Sequence, residues 1–421
     1  MYKMSSVLET TIRLAKSEHG GKINLLRCTE ITYNTKIPGV NPTFADYSTD
    51  VIQSEGPVGR FGHYAINVGD YFYMFGGITI NSTYLNDMWK LDMTTGLWTK
   101  INPTASTPSL RAYGIIFSID KNIYIHGGYD GINGFNDLYE FNTELHSWKL
   151  LNTTGTENII RWAHTGALYN NNILYITTGI TTGDIILKDT IKLNLTTMTW
   201  SGECHSTPVS NASMVEVNGN LYLFYGFFGG SKSKVSDIIY ITTIDPITYN
   251  ISSWSKFIVP NGIPPSSRGL FTLYYYNNYI YFYGGTATPV ESITDQILDN
   301  AYRLDLTPGA ETWTEYQNIL GPYKRKGCTL FAGIDGLYIF GGLIEYPSLI
   351  FYADIWKVLP VVSPVITASE EPVLIFLGQT QFTHNNYIFK CFSINGIVWV
   401  SISVPRKHTD MLKMYSLRIN V

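Results

Sequence analysis

The sequence predicts an all-β fold, a β-propeller of six repeated blades with a short β-rich extension after it. Three observations support this prediction: a repeat of about 50 residues, the strand and turn signals inside each copy, and the composition. Tyr and Gly are abundant, at 31 and 37 residues, and only 15% of all residues are charged. Such a composition suits short buried strands joined by tight turns better than long amphipathic helices.

The repeat is clearest in its first three copies. Gly77, Gly128 and Gly179 follow one another at intervals of 51 residues. Each of these copies starts with an Arg, and each carries an Asp 11 residues before a Trp. Three later copies drift: the fourth lacks the leading Arg, the fifth has a longer insert, and the sixth lacks the final Trp segment. The Asp and Trp positions are Asp87 and Trp98, Asp137 and Trp148, and Asp189 and Trp200.

Each copy contains the signals of four antiparallel strands. An aromatic run such as YFYMFGG ends in Gly, which tolerates a positive φ angle. The run at 88–92 alternates apolar and polar residues, as a half-buried strand does. Short turn sequences such as VGD and NGN separate the first strand from the second. One such sheet cannot bury both of its faces alone, so the copies are expected to pack around a ring.

The pattern resembles the kelch repeat, in which a diglycine is followed by an aromatic residue and then a spaced Trp. The resemblance covers about residues 60–358 and departs at Thr178 and Tyr225, which stand where the first Gly of the pair is expected. It implies a six-bladed propeller whose loops contact another protein. The diglycines are Gly76-Gly77, Gly127-Gly128, Gly284-Gly285 and Gly341-Gly342.

The ends of the chain divide it into three predicted regions. Residues 1–59 form an N-terminal extension in which 22–32 is a candidate strand to close the incomplete sixth blade. Residues 60–360 form the propeller. Residues 361–421 contain three further strand signals. They are predicted to form either an appended β-strand extension or a degenerate seventh blade.

Charge and segment patterns exclude several classes of function. The net charge is −4 with no basic stripe, so we expect no nucleic-acid partner. No apolar run is long enough to span a membrane, and residues 1–20 lack the apolar core of a secretory signal. An intracellular, most simply cytoplasmic, location is therefore expected. Four widely spaced cysteines indicate free thiols and no zinc or redox pair.

The leading arginines are the first candidate binding residues. By repeat symmetry they lie in a ring at one end of the propeller, where guanidinium groups could bind acidic peptide segments. The alternative is a structural contact repeated within each blade. The recurring Asp before the third strand is expected to stabilise a turn. The arginines are Arg60, Arg111, Arg161, Arg268 and Arg325.

Loops between strands are the second candidate binding surface, because rigid neighbours hold them in place. The long, irregular inserts at 78–85, 227–235 and 286–298 are the predicted contact loops. Aromatic residues within or beside the loops, Tyr129, Phe227 and Phe228, are candidate anchors for a partner. We therefore expect a non-enzymatic protein-interaction scaffold, a subunit or adaptor of a larger assembly, with protein partners.

The alternative function is a small-molecule enzyme, of the isomerase or metal-dependent lyase type, that uses the central channel or the blade-five insert. That insert carries Glu291, Asp295 and Asp299 at intervals of four. It is similar to the iron site of plant kelch-type specifier proteins, except that Asp299 replaces a His. His63 and His164 are two isolated histidines without a third ligand. The expectation is therefore no catalytic residue, no metal and no cofactor.

Overall fold

The computed structural model describes residues 56–360, except for the short gaps listed below, together with several separate strands. The separate strands are 26–30, 374–375, 381–384, 387–394, 397–403 and 413–416. The gaps are 105, 156–157, 230–233, 288–295, 317–321, 323, 334–335 and 346–348.

Six four-stranded antiparallel sheets form the body of the protein, which confirms the predicted six-bladed propeller. Blades one, two and three each use consecutive stretches of chain, as the repeat predicts. Blade one contains β2 (Tyr64–Val68), β3 (Tyr71–Ile78), β4 (Tyr84–Asp92) and β5 (Trp98–Ile101); blade two contains β6 (Ile115–Ile119), β7 (Asn122–Tyr129), β8 (Gly134–Asn142) and β9 (Ser147–Leu151); blade three contains β10 (Thr165–Tyr169), β11 (Ile173–Thr177), β14 (Asp189–Asn194) and β15 (Thr199–His205), with a small ribbon of β12 (Ile180–Thr181) and β13 (Ile185–Ile186).

Blades four, five and six continue the ring, and blades four and six also carry two-stranded ribbons between their second and third strands. Blade four contains β16 (Ser213–Val217), β17 (Asn220–Phe224), β20 (Ile239–Thr243) and β21 (Ser255–Phe257), with ribbon strands β18 (Phe227–Phe228) and β19 (Lys234–Val235); blade five contains β22 (Thr272–Tyr276), β23 (Tyr279–Tyr283), β24 (Ala301–Asp305) and β25 (Thr312–Tyr316); blade six contains β26 (Thr329–Gly333), β27 (Gly336–Phe340), β30 (Ile355–Pro360) and β1 (Leu26–Glu30), with ribbon strands β28 (Leu343–Ile344) and β29 (Ile350–Phe351).

The first strands of the six blades line the centre of the ring. β2 contacts β6, which contacts β10, and the contacts continue through β16, β22 and β26 back to β2. We call the end of the ring that carries the connections from second to third strands, and from each blade to the next, the loop face. The opposite end carries the hairpin turns from first to second and from third to fourth strands, and we call it the turn face.

The outer strand of blade six comes from the N-terminal part of the chain. β1 pairs antiparallel with β30, and Glu30 lies opposite Trp356 while Leu26 lies opposite Pro360. The strand lies inside the 22–32 segment that the alternation indicated. The blade that the repeat leaves incomplete is thus completed by a strand from the other end of the chain.

After the propeller, the chain forms a separate five-stranded sheet rather than a seventh blade in the ring. Its order is β31, β33, β34 and β35, with β32 pairing with β33 at the side. β33 and β34 pair antiparallel, with Ile394 opposite Ile397. The sheet contains β31 (Leu374–Ile375), β32 (Gln381–His384), β33 (Tyr387–Ile394), β34 (Ile397–Ser403) and β35 (Lys413–Ser416).

The core of the propeller lies between blades, because each sheet buries its faces only against its neighbours. At the closure, Phe72 of blade one stacks on Phe331 of blade six, with ring centroids 4.0 Å apart. Leu91 and Phe340 are fully buried in the same cluster. Buried apolar side chains therefore fill the joint between the last blade and the first, as they do between the other blades.

A backbone hydrogen bond that recurs in all six joints connects each blade to the next on the loop-face side. The second residue of each diglycine position donates its N–H to the carbonyl that starts the following repeat, at 2.9 to 3.1 Å. The six pairs are Gly77 with Arg111, Gly128 with Arg161, Gly179 with Val209, Gly226 with Arg268, Gly285 with Arg325, and Gly342 with Arg60.

A close approach to the start of the same repeat explains why the second position is Gly in all six copies. At Gly285 the φ angle is +92°, and an added Cβ would lie 2.8 Å from both the Gly269 carbonyl oxygen and the Phe271 Cβ. The first position is less restricted, since Thr178 and Tyr225 occupy it at φ angles of 65° and 50°. The two departures from the diglycine pattern therefore fall only where a side chain is tolerated.

We expect Gly285→Ala to lower the free energy of unfolding by about 3 kcal/mol or more, because the methyl group would meet backbone on the neighbouring segment. The matched control is Gly69→Ala, at a hairpin turn with φ +57° and no atom within 4 Å of the added Cβ. It should cost only about 1 kcal/mol. Chemical denaturation measures both values, and equal losses would contradict the close-approach explanation.

Candidate functional site

The five leading arginines are buried, with 0–1% of each residue exposed. In blade one, the Arg60 guanidinium donates to the Gly76 carbonyl at 2.9 Å and to both carboxylate oxygens of Asp87, at 2.6 and 2.9 Å. The recurring Asp thus serves as the partner of the Arg, a role that the sequence analysis missed. The equivalent pairs are Arg111 with Asp137, Arg161 with Asp189, and Arg325 with Asp354.

The ion pair fixes the backbone that makes the interblade bond. Burial alone would raise the pKa of Asp87, but the hydrogen bonds and charge of Arg60 hold that pKa below its usual value. The carboxylate therefore stays charged, and the guanidinium stays bound to it. This geometry corrects the predicted anion-binding mouth: these arginines offer no exposed surface to an acidic peptide and instead fill the alternative role, a structural contact within each blade.

Blade five departs from this arrangement. Arg268 is fully buried, yet its side-chain partner at the Asp position is the amide oxygen of Asn300, at 2.8 Å. The Asn300 amide donates to the Tyr302 hydroxyl, and that hydroxyl donates to the Glu315 carboxylate. Burial lowers the pKa of Arg268, whereas in blade two the pKa of Arg111 is raised. Blade five therefore holds its buried cation through a neutral intermediary.

We expect Asn300→Asp to stabilise the protein by about 1–3 kcal/mol, because a carboxylate would pair directly with the buried guanidinium. The reciprocal variant, Asp137→Asn, should destabilise it by about 3 kcal/mol, since it leaves Arg111 without its counter-ion. Differential scanning calorimetry of both variants tests the pair. A loss of stability in Asn300→Asp would show that the Tyr302–Glu315 relay already compensates Arg268.

Tyr129 and Phe227 occupy equivalent positions, at the ends of the bridges from Ala112 and Ser210, but they differ in exposure. Tyr129 is half-buried, and its ring stacks on Trp162 of the next blade, with centroids 4.7 Å apart. Phe227 is fully buried because the next blade has Gly269 at the position of Trp162.

The prediction that Phe227 is an exposed anchor is therefore wrong. Its ring lies where a side chain on Gly269 would be, so it sinks into the joint between blades four and five. Phe228, the next residue, is half-buried against the hydrophobic cluster of blades three and four. Of the three aromatic candidates, Tyr129 is the one whose ring packs against other half-buried aromatic side chains.

The predicted contact loops begin and end on the loop face. The 78–85 insert is described completely, whereas 230–233 and 288–295 lie outside the described residues, and so do Glu291 and Asp295. Asp299 is exposed. Within the described ranges, no group of three or more His, Cys, Asp or Glu side chains is placed to hold a metal ion.

The two histidines considered from the sequence lie between blades. His164 packs against His126, and the distance from His164 Nε2 to His126 Nδ1 is 3.3 Å. The other ring nitrogen of His126, Nε2, lies 2.9 Å from Asn158 Oδ1. His63 contacts Thr329 at 3.1 Å. Sequence reasoning missed His126, although it precedes a diglycine at a position that is Phe or Tyr in four of the other five copies.

Burial keeps these imidazoles neutral. Desolvation, with the charge of Arg60, lowers the pKa of His63 to about 3. Desolvation and Arg161 lower the pKa of His126 to about 3 as well, and the pKa of His164 lies well below its usual value. The unfolded chain binds protons at these residues from about pH 6.5 downward, while the folded chain does not. Acid therefore favours the unfolded state.

We expect the free energy of unfolding to fall as the pH drops from about 6.5 towards 3, by up to about 1.4 kcal/mol per pH unit for each buried His. A His126→Phe/His164→Phe double variant should lose less stability over this pH range, because it keeps only one of the three histidines with a lowered pKa, His63. Thermal unfolding between pH 7 and pH 4.5 measures both slopes. Identical slopes would mean that other groups control the acid sensitivity.

These observations define the class: a closed six-bladed β-propeller whose blades are joined by glycine N–H donors. Arginine–aspartate pairs hold four of the blades internally. The profile of the "KLHDC2/KLHL20/DRC7 Kelch-repeats domain" matches residues 43–224. This match and the relatives described next support a kelch-repeat family for the chain. This confirms the resemblance seen in the diglycine pattern.

Individual relatives agree with this assignment. The chain is 25% identical to "Kelch domain-containing protein 3" of Homo sapiens over 327 residues, which is 70% of this chain and 81% of that protein. It is 24% identical to "Leucine-zipper-like transcriptional regulator 1 homolog" of Drosophila melanogaster over 310 residues, which is 68% of this chain and 30% of that protein.

A solved structure shares the fold. The structure titled "Structure of YjhT" superposes with a TM-score of 0.56 at 17% identity, and the match covers 73% of this chain and 99% of that one. In the part of the chain that the structure describes, we find no helix with the length and hydrophobicity needed to cross a membrane.

Proposed function

We propose that this protein is a non-enzymatic interaction scaffold, a subunit or adaptor of a larger assembly, and that it binds a partner protein through the loop face. Kelch propellers commonly serve as protein-interaction modules, and the family assignment supports this class of function. The choice of face depends on where the exposed apolar side chains lie.

The loop face carries most of the exposed aliphatic side chains among the described residues, and this is the observation that supports the proposal best. Ile132, at the tip of the blade-two connection, is 86% exposed, and Ile80, in the blade-one connection, is 50% exposed. Exposed apolar groups concentrated on one surface are typical of a binding site. The same face also carries Val58, Leu110, Ile159, Ile185, Ile258, Leu349 and Ile350.

The turn face has a different character. Its turns are closed by their own side chains: the Asp92 carboxylate accepts from the Thr94 and Thr95 N–H groups, and Asp245 accepts from Ile247 and Thr248 in the same way. Such tight turns leave little adaptable surface. β1 begins and β30 ends at this face, so the segments that flank the propeller connect here.

We expect Ile80→Asp/Ile132→Asp to abolish co-purification of the partner, because a charge in an apolar contact is costly to desolvate. Both residues are exposed, so folding should be unaffected. The matched control is Leu97→Asp/Leu145→Asp on the turn face, where the two leucines are 48% and 70% exposed.

The measurement is affinity purification of tagged full-length protein from its native cell, with quantitative mass spectrometry of wild type and both variants. A protein that co-purifies at near-equal stoichiometry with wild type and the control, but not with the loop-face variant, supports the proposal. Loss with the turn-face variant alone would move the binding site to the opposite end, and a protein that purifies alone from every preparation would contradict the scaffold function.

A further inference from the structure

Three half-buried aromatic side chains form a continuous row across blades one to three on the loop face. The Tyr84 and Tyr129 ring centroids are 6.2 Å apart, and those of Tyr129 and Trp162 are 4.7 Å apart. Two glycines of the blade-two connection make room for the row. A Cβ on Gly131 would lie 2.9 Å from the Tyr84 ring, and one on Gly134 would lie 2.8 Å from the Trp162 ring.

A second row of three half-buried aromatic side chains lies on blades six, one and two. Phe61 contacts Phe351 and Tyr113 edge-on, with centroid distances of 5.3 and 5.6 Å. Glycines again seat the rings: a Cβ on Gly327 would lie 3.2 Å from the Phe61 ring, and one on Gly62 would lie 3.0 Å from the Tyr113 ring. We call these six residues the aromatic rows. Because the backbone supports the rings, their positions are preorganised.

The aromatic rows offer hydrogen-bond donors beside a carboxylate. Within the described residues, the Tyr84 hydroxyl and the Trp162 indole N–H make no hydrogen bond. Lys326 and Glu345 pair with each other at 2.8 Å, and the Asp130 carboxylate accepts from the Ile132 and Asn133 N–H groups. A ligand that complements this surface is apolar, rich in acceptors and not anionic.

We propose that the aromatic rows bind an extended proline-rich segment of the partner protein, an inference that rests on the proposed function of the loop face. A polyproline II helix presents apolar rings and unpaired backbone carbonyls, and it docks on surfaces lined by Tyr and Trp. Its stiffness keeps the entropy loss on binding small. An acidic segment fits poorly, since the repeat arginines are buried and Lys326 already has a carboxylate partner.

The size of the rows is consistent with this ligand. The first row spans at most about 11 Å, which a polyproline II helix covers in three to four residues at 3.1 Å each. Both rows together therefore contact a short motif rather than a folded domain. A motif of this length without ion pairs is expected to bind with a Kd in the micromolar to millimolar range.

Fluorine NMR of the full-length protein labelled with 5-fluorotryptophan tests the proposal. Trp162→Phe assigns the resonance of Trp162 among the nine tryptophans. The probe is an end-blocked decaproline peptide, and the controls are Gly-Ser and poly-Glu peptides of equal length. We expect a saturable shift of the Trp162 resonance with decaproline alone, while the resonance of buried Trp200 stays in place.

Variants then separate ring from hydroxyl. Tyr129→Ala should weaken decaproline binding at least 10-fold, and Tyr84→Phe, which keeps the ring, should weaken it several-fold. Tyr71→Ala, on the turn face where that residue is 36% exposed, should leave binding unchanged. Circular dichroism confirms that each variant is folded.

Two results would overturn the proposal: a Trp162 resonance that does not move up to millimolar decaproline, or one that moves equally with poly-Glu. If either occurs while Ile80→Asp/Ile132→Asp still abolishes partner co-purification, the proline-rich class is wrong and the loop-face function stands. If partner binding also survives that double variant, both proposals fail.

Discussion

The hydrogen bond from the second glycine of each blade to the start of the next repeat is the constraint on which the ring depends. The same glycine also lies so close to the start of its own repeat that no side chain fits there, as Gly285 shows against Gly269. The carbonyl that accepts the hydrogen bond belongs to an arginine in five of the six joints. The guanidinium of that arginine donates to the carbonyl of the first residue of the diglycine position. In four blades it also pairs with the carboxylate of an aspartate. Backbone contact and ion pair therefore form one unit.

Much of this fold could be predicted because the same strand and turn signals occur in all six copies of the repeat. Four strands, a glycine-ended aromatic run and a fixed spacing recur, and the structure has the six blades that they indicate. The closing strand could also be predicted, because residues 22–32 alternate as a strand does and the sixth repeat lacks its fourth strand. Local signals of this kind are set by residues within one copy, and a single sequence contains all of them.

What the sequence could not provide is the direction in which a repeated side chain points. The repeat alone allows Arg60 and its equivalents to form a ring of binding residues, yet their guanidinium groups are buried inside the blades. Tyr129 and Phe227 hold the same position in their copies, and their exposure differs because of Trp162 and Gly269 in the following blades. Burial at these sites depends on a residue about one repeat away, and no pattern inside a copy reports it.

The closure of blade six has a consequence for how the protein is made. β1 leaves the ribosome long before its partner β30, which ends at Pro360. At about 5–20 residues per second, tens of seconds pass between the two. During that interval β1 is an unpaired strand edge, able to join the wrong sheet. Early blades can stack meanwhile, yet the ring cannot close until the sixth is synthesised. A nascent chain is thus most vulnerable to mispairing and proteolysis before its last blade emerges.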